Sequence, residues 1–261
     1  MSTHHAGTRA EGPIRVWRPP PRNEWQWLRA LVTTRHGGSS RAPYDSLNLA
    51  LSTGDAPQDV EANRALLRRV LGLEQKRWHT LAQVHGERVL EAGQSDVRQA
   101  DGLWTARPGE VLVIGVADCV PVFLWDARGR RVALLHAGWR GTAAGIVRRG
   151  LEKLLEAGAS AADVWMAMGP SIGPCCYAVG PEVARHFPEA LHTSSEGRTH
   201  LDLRRANRRQ ALAGGVSAAH VLPDPPCTAC ETNDYFSHRK QGPHTGRQWA
   251  LAWVRDPGEQ Q

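Results

Sequence analysis

Apolar residues in this chain gather into short runs separated by polar, glycine-rich or proline-rich breaks. Val111 to Val116 and Val132 to Leu135 each read as a strand, and the polar turn Asp126-Ala127-Arg128-Gly129 between them suits a connection between paired strands. Trp27 to Thr34 reads as a first strand, another begins near Trp78 and ends at Gln83-Val84-His85-Gly86, and two more cover Asp163 to Met168 and Gln248 to Val254. Helical spacing appears over Gln58 to Leu71, with Val60, Leu66, Leu67 and Val70 on one face and Gly72 closing the helix. It recurs at Ile146, Val147, Leu151, Leu154 and Leu155, and in the arginine-rich stretch Leu203 to Leu212. Ala100 to Thr105 reads as a turn, and Gly169 to Tyr177 as a loop made rigid by proline and glycine. This order of elements predicts an α/β (α+β) fold, a layered sandwich of mixed β-sheets flanked by helices. Residues 1–13 read as a flexible tail and 14–261 as a single domain, with the strand pairing left open.

Composition narrows the partners. A chain of 261 residues with 41% hydrophobic content suffices for one sizeable core. The formal net charge of +6 is carried by arginines spread along the chain; Arg148-Arg149, Arg204-Arg205 and Arg208-Arg209 fall on helical patterns and read as solvated faces. Such a balance suits a small anionic substrate, and no aromatic and basic repeat marks a nucleic-acid binder. No apolar stretch approaches the ~20 residues that span a bilayer, and the first sixteen residues contain no apolar signal core. Five cysteines, an odd number at low density, point to reduced thiols in a cytoplasm. Nothing in the sequence sets the oligomeric state, and a monomer is compatible with it.

Candidate chemistry collects around the two central runs. Cys119 follows the first, His136 ends the second, and His85 closes the strand before them. Two imidazoles and one thiolate would leave a fourth tetrahedral position for water or substrate, the arrangement of catalytic rather than structural zinc. A metal-free alternative makes Cys119 a nucleophile with a histidine as its base. Asp101 is placed to orient a histidine. Gly138-Trp139-Arg140-Gly141 permits close backbone approach before a helix start that favours an anion. Arg35 and Asn48, in a glycine-rich loop region, are further ligand-holding candidates, although Asn48 would equally satisfy loop backbone. The adjacent Cys175 and Cys176 read as packed thiols. Cys227-Thr228-Ala229-Cys230 has metal-type spacing but no second pair, so it too reads as thiols in a packed turn. Its match, with His85-Gly86-Glu87, to a nucleobase-deaminase signature is coincidental, because the two halves stand too far apart.

Eight stretches carry a resemblance: Thr33 to Ser40 (TTRHGGSS), Leu47 to Asp55 (LNLALSTGD), Gln83 to Gly86 (QVHG), Ala100 to Thr105 (ADGLWT), Ala117 to Pro121 (ADCVP), His136 to Val147 (HAGWRGTAAGIV), Gly169 to Gly180 (GPSIGPCCYAVG), and Cys227 to Cys230 (CTAC) with Tyr235 to Arg239 (YFSHR). With them the chain resembles the bacterial multicopper polyphenol oxidase, or laccase-domain, proteins, also grouped as broad-specificity purine nucleoside phosphorylases and including a peptidoglycan-editing factor. The resemblance implies a layered α/β sandwich and zinc held by His85, Cys119 and His136. It implies phosphorolysis of adenosine, guanosine, inosine and 5′-methylthioadenosine, with adenosine deamination, on a small-molecule nucleoside and phosphate. Arg35 and Arg140 are then the cations expected on phosphate. Copper-dependent phenol oxidation and editing of a cytoplasmic peptidoglycan precursor are the alternative activities it implies. The chain departs from the pattern at Ser39-Ser40 and at His238, where tyrosine is frequent.

Overall fold

Successive residues of a strand point to opposite faces of its sheet, and in this protein both faces of the central strands are covered. The computed structural model describes residues 7–94, 99–195 and 197–256. In chain order, β1 (Gly7–Glu11) and β2 (Ile14–Arg18) form a hairpin and β3 (Leu28–Thr33) follows. After α1 (Pro57–Val70) come β4 (Arg77–His79), β5 (Val89–Glu91), β6 (Gly102–Thr105) and β7 (Glu110–Val116). A second hairpin, β8 (Val120–Asp126) with β9 (Arg131–Ala137), leads into α2 (Trp139–Ala144) and α3 (Ile146–Glu156). Beyond β10 (Val164–Met168) and α4 (Pro181–Ala184) stand the pair β11 (Leu191–Thr193) and β12 (Thr199–Leu201), then α5 (Leu203–Ala213), α6 (His238–Gln241) and β13 (Gln248–Val254).

Two mixed sheets stack face to face. One has the order β1-β2-β3-β13-β7-β4 and the other β10-β8-β9-β6-β5. Each is antiparallel except at one edge, where β4 runs parallel to β7 and β5 parallel to β6. Leu112 and Ile114 of β7 enter the space between the sheets and share it with Phe123 and Trp125 of β8 and Leu134 of β9. The alternate residues Val111 and Val113 turn to the outer face, with Leu67 of α1. On the far side Val122, Leu124 and Leu135 pack with Val147, Leu151 and Leu154 of α3. The result is four layers, helix on sheet on sheet on helix. A strand covered on both faces has no polar alternation, which is why the sequence shows unbroken apolar runs. No helix of the described residues is long and apolar enough to cross a membrane.

Three local expectations are corrected. Gly7–Glu11, assigned to a tail, pairs along β2 because Ile14 and Val16 anchor that strand in the core; residues 1–6 lie outside the described residues. The segment read as a turn contains β6, whose Leu103 inserts between the sheets. The strand that begins near Trp78 stops at His79. Gln83 continues its pairing with a side chain instead of backbone: its amide donates to the Gly115 carbonyl (2.9 Å) and accepts the Gly115 N–H (2.8 Å). His85 therefore stands on a loop.

A candidate metal centre in a basic cleft

His85, Cys119 and His136 converge from three separate segments. Their ligand atoms lie within 4.8 Å of one another, and the two imidazole rings sit 4.8 Å apart, nearly edge to face. Cys119 ends the short turn between β7 and β8, and His136 lies on β9 opposite Pro121. The sheet thus fixes two of the three donors, and the loop after Gln83 brings the third.

One carboxylate organises this loop. Asp101 is fully buried and receives the Nδ1 of His136 at 2.8 Å and the backbone N–H groups of Val84 (3.2 Å), His85 (2.9 Å) and Gly86 (2.7 Å). Burial opposes its ionisation, but these donors outweigh it and hold the carboxyl below its ordinary range. With Nδ1 engaged, Nε2 of His136 is the nitrogen left for a ligand role. His85 itself adopts φ 60°, a left-handed conformation that costs a non-glycine residue about 1–3 kcal/mol. The amide contacts to Asp101 hold it there. Asp118, with φ 87° beside Cys119, is held in the same way: it accepts from Thr228 Oγ1 (2.7 Å) and from the Arg239 N–H (2.6 Å). Small residues complete the approach. A Cβ on Gly138 would meet Cys119 Sγ at 3.0 Å and His85 Cδ2 at 3.2 Å, and one on Gly141 would meet the Gly86 carbonyl at 2.7 Å.

The three donors suit a soft, tetrahedral divalent ion. Burial resists ionisation of the Cys119 thiol, yet the facing His136, with His85 in support, pulls it down to about 6. Burial likewise lowers the affinity of His136 for a proton, and the Cys119 and Asp101 charges more than reverse that, raising it to about 9. Without a metal the pair is thus a thiolate facing an imidazolium at neutral pH. A cation taking the place of that proton would find a thiolate and two imidazoles, with a fourth position open.

That side opens into a cleft of about 670 Å³, the size of a small-molecule site. Trp139, Ile172, Tyr177 and Leu203 give it flat and apolar walls, and Arg140, Arg239 and Arg247 give it cations. Arg247 is buried enough for its guanidinium to lose part of its proton affinity. Arg140 stacks over Trp139, with 4.4 Å between guanidinium and ring centroid. Of the polar candidates read from the sequence, Arg140 lines the cleft; Arg35 and Asn48 do not. Arg35 donates to the carbonyls of Asp45 (2.7 Å) and Thr232 (2.8 Å) and lies over Phe236, so it pins loops together. Asn48 is fully buried, and its Oδ1 accepts the N–H groups of Ala50 (3.2 Å) and Arg247 (2.9 Å); it supports the cleft from behind. The sequence reading missed Arg239 and Arg247. Arg239 closes the Tyr235 to Arg239 stretch, where His238 alone drew notice, and Arg247 has no local signal beyond its place just before β13.

Known proteins resemble this chain over most of its length. Residues 29–255 match the family model described as multi-copper polyphenol oxidoreductase laccase. The chain is 37% identical to a protein of Geobacillus stearothermophilus named purine nucleoside phosphorylase YlmD, over 95% of this chain and 96% of that one. It is 39% identical to one of Pseudomonas aeruginosa named purine nucleoside phosphorylase PA4543, over 92% and 97%. The crystal structure of YlmD superposes with a TM-score of 0.88 at 35% identity, covering 97% of this chain and all of its own. The chain therefore belongs to the multi-copper polyphenol oxidoreductase laccase family, together with relatives named purine nucleoside phosphorylases.

Proposed function

We propose that the cleft carries out zinc-dependent phosphorolysis of purine nucleosides, namely adenosine, guanosine, inosine and 5′-methylthioadenosine, with adenosine deamination as a companion reaction. The observation that carries this reading is the combination in one cleft of a three-donor centre, flat apolar walls and three arginines. The names of the relatives support it. Trp139, Ile172 and Tyr177 offer a planar base flat and apolar surface to pack on. Arg140, Arg239 and Arg247 hold phosphate, since a guanidinium fork matches its oxygens. In the reaction a phosphate oxygen bonds to ribose C1′ as the C1′–N9 bond breaks, and the purine leaves with the bonding pair and takes up a proton. Deamination replaces the C6 amine of adenosine by the oxygen of water and releases ammonia.

His85, Cys119 and His136 are the residues that hold the zinc, and Asp101 keeps His136 in the tautomer that does so. Zinc, when bound, supplies Lewis acidity at the inner end of the cleft. A multicopper oxidase needs several histidine-rich centres for electron transfer. Among the described residues this is the single cluster that contains histidine, which favours zinc phosphorolysis over the oxidase reading.

The test is chromatography of adenosine incubated with zinc-loaded protein, with and without phosphate. Adenine and ribose 1-phosphate should appear only with phosphate, and His136→Ala should lose zinc from the centre and reduce both activities to background. Zinc-loaded protein that leaves every nucleoside intact, or His136→Ala with full activity, would overturn the reading.

A further inference from the structure

The remaining four cysteines take no part in the cleft, and the fold gathers them. Cys175 and Cys176 lie on the loop after β10, and Cys227 and Cys230 on the turn that precedes α6. All four sulfurs lie within 4.8 Å of one another. Cys230 Sγ stands 3.5 Å from Cys175 Sγ and 3.4 Å from Cys176 Sγ. Those separations are close to the ~3.8 Å edge of a tetrahedron built from Zn–S bonds of ~2.3 Å. The pair that the sequence reading found missing for Cys227 and Cys230 is thus the adjacent Cys175 and Cys176.

The surroundings of Cys227 are those of a thiolate ligand. Its sulfur accepts the Gly173 N–H at 3.1 Å. Cys227-Thr228-Ala229-Cys230 closes a tight turn through the Cys230 N–H on the Cys227 carbonyl (3.1 Å). A C-x-x-C on such a turn is the ligand spacing of zinc sites. Arg204, with 5% of its surface exposed, lies behind both loops. It donates to Ser171 Oγ (3.0 Å) and O (2.5 Å), Pro225 O (2.6 Å) and Pro226 O (2.7 Å), all uncharged oxygens. A divalent ion held by four thiolates is dianionic, and a buried guanidinium complements it.

We propose that Cys175, Cys176, Cys227 and Cys230 form a second, structural metal site that takes a thiophilic divalent ion, zinc, and clamps the two cysteine loops together. Four sulfur ligands leave no position for water or substrate, which makes the site structural. What it steadies is the cleft wall. Ile172 and Tyr177, on the first loop, line the cleft, and Thr228, between the second pair of cysteines, holds Asp118 next to Cys119.

Metal content per chain, measured on protein purified with zinc and reductant, tests this independently of nucleoside turnover. The wild type should hold two zinc ions per chain, and both His136→Ala and Cys230→Ser should hold one. Cobalt loaded into His136→Ala should give the strong sulfur-to-cobalt charge-transfer and tetrahedral visible bands of an all-thiolate site, a readout that needs no cysteine variant to fold. A His136→Ala protein that binds no metal would overturn the proposal, as would disulfides among the four cysteines in protein purified without air. If the His136 centre failed instead, zinc would remain in the wild type and be lost in Cys230→Ser, so the two readings fail separately.

Discussion

The two sulfur-bearing clusters are joined through Asp118 and Thr228, yet they are built in opposite ways. His85, Cys119 and His136 are set by the ends of buried strands and by one carboxylate, and they present an unfilled side to a cleft. Cys175, Cys176, Cys227 and Cys230 come from two irregular loops, and their four sulfurs lie within 4.8 Å of one another. A sheet holds chemistry by burial, so its metal site can remain incomplete and reactive. Loops lack that support and need a closed ligand set to hold them. On the proposed reading the comparison also divides the labour: the open cluster faces substrate in the cleft, and the closed one maintains the wall beside it.

The substitution that sharpens this contrast most is expected to be at Asp101. Asp101→Asn keeps the volume but removes the charge that faces His136 and weakens the amide contacts holding His85 at φ 60°. Loss of such a supporting carboxylate costs about 10–100-fold in metal affinity or activity. A zinc competition titration should show that loss at the histidine centre and leave the cysteine site untouched. Equal loss at both sites would mean that the clusters form one cooperative unit, and the contrast would fail.

The contrast also separates what could be read in the sequence from what could not. Strands such as Glu110–Val116 and Gln248–Val254 were legible because burial on both faces writes an apolar run. Their pairing was not, since β13 reaches β3 and β7 across most of the chain. The open cluster was legible because Cys119 and His136 stand beside those same runs. The closed one was not: Cys176 and Cys230 are 54 residues apart, and no periodic pattern connects two irregular loops. Gln83 hid the end of β4 for a related reason, since a side chain that imitates backbone pairing looks like one more strand residue.

A second substitution effect divides the arginines. Arg239→Ala removes a cation that lines the cleft, whereas Arg35→Ala removes one that holds the loops of Asp45 and Thr232. A charge-assisted hydrogen bond contributes about 1.5–3 kcal/mol, so Arg239→Ala should raise the KM for phosphate by about 10-fold or more. Arg35→Ala should lower the melting temperature and leave that KM unchanged. Steady-state kinetics with phosphate varied decides it, and a raised KM in Arg35→Ala would return that residue to the site.

The two clusters are compared most directly by the pH dependence of metal binding. In the metal-free protein Cys119 is a thiolate above about 6, and His136 keeps its proton up to about 9. The metal-bound centre needs the thiolate and a neutral imidazole. Between those limits the free protein therefore carries one proton more than the bound one. Zinc affinity at this centre should rise by about tenfold per pH unit across that window and level off above it. At the second cluster, burial and the neighbouring Cys230 sulfur raise the thiols of both Cys175, to about 11, and Cys176. Metal entering there must expel at least those two protons, so its affinity should climb about twice as steeply with pH. Proton release measured by calorimetry in buffers of different ionisation enthalpy, on His136→Ala and on Cys230→Ser, isolates each centre. Equal proton counts from the two variants would contradict the assignment of an ionised, histidine-paired thiolate to one cluster and protonated thiols to the other.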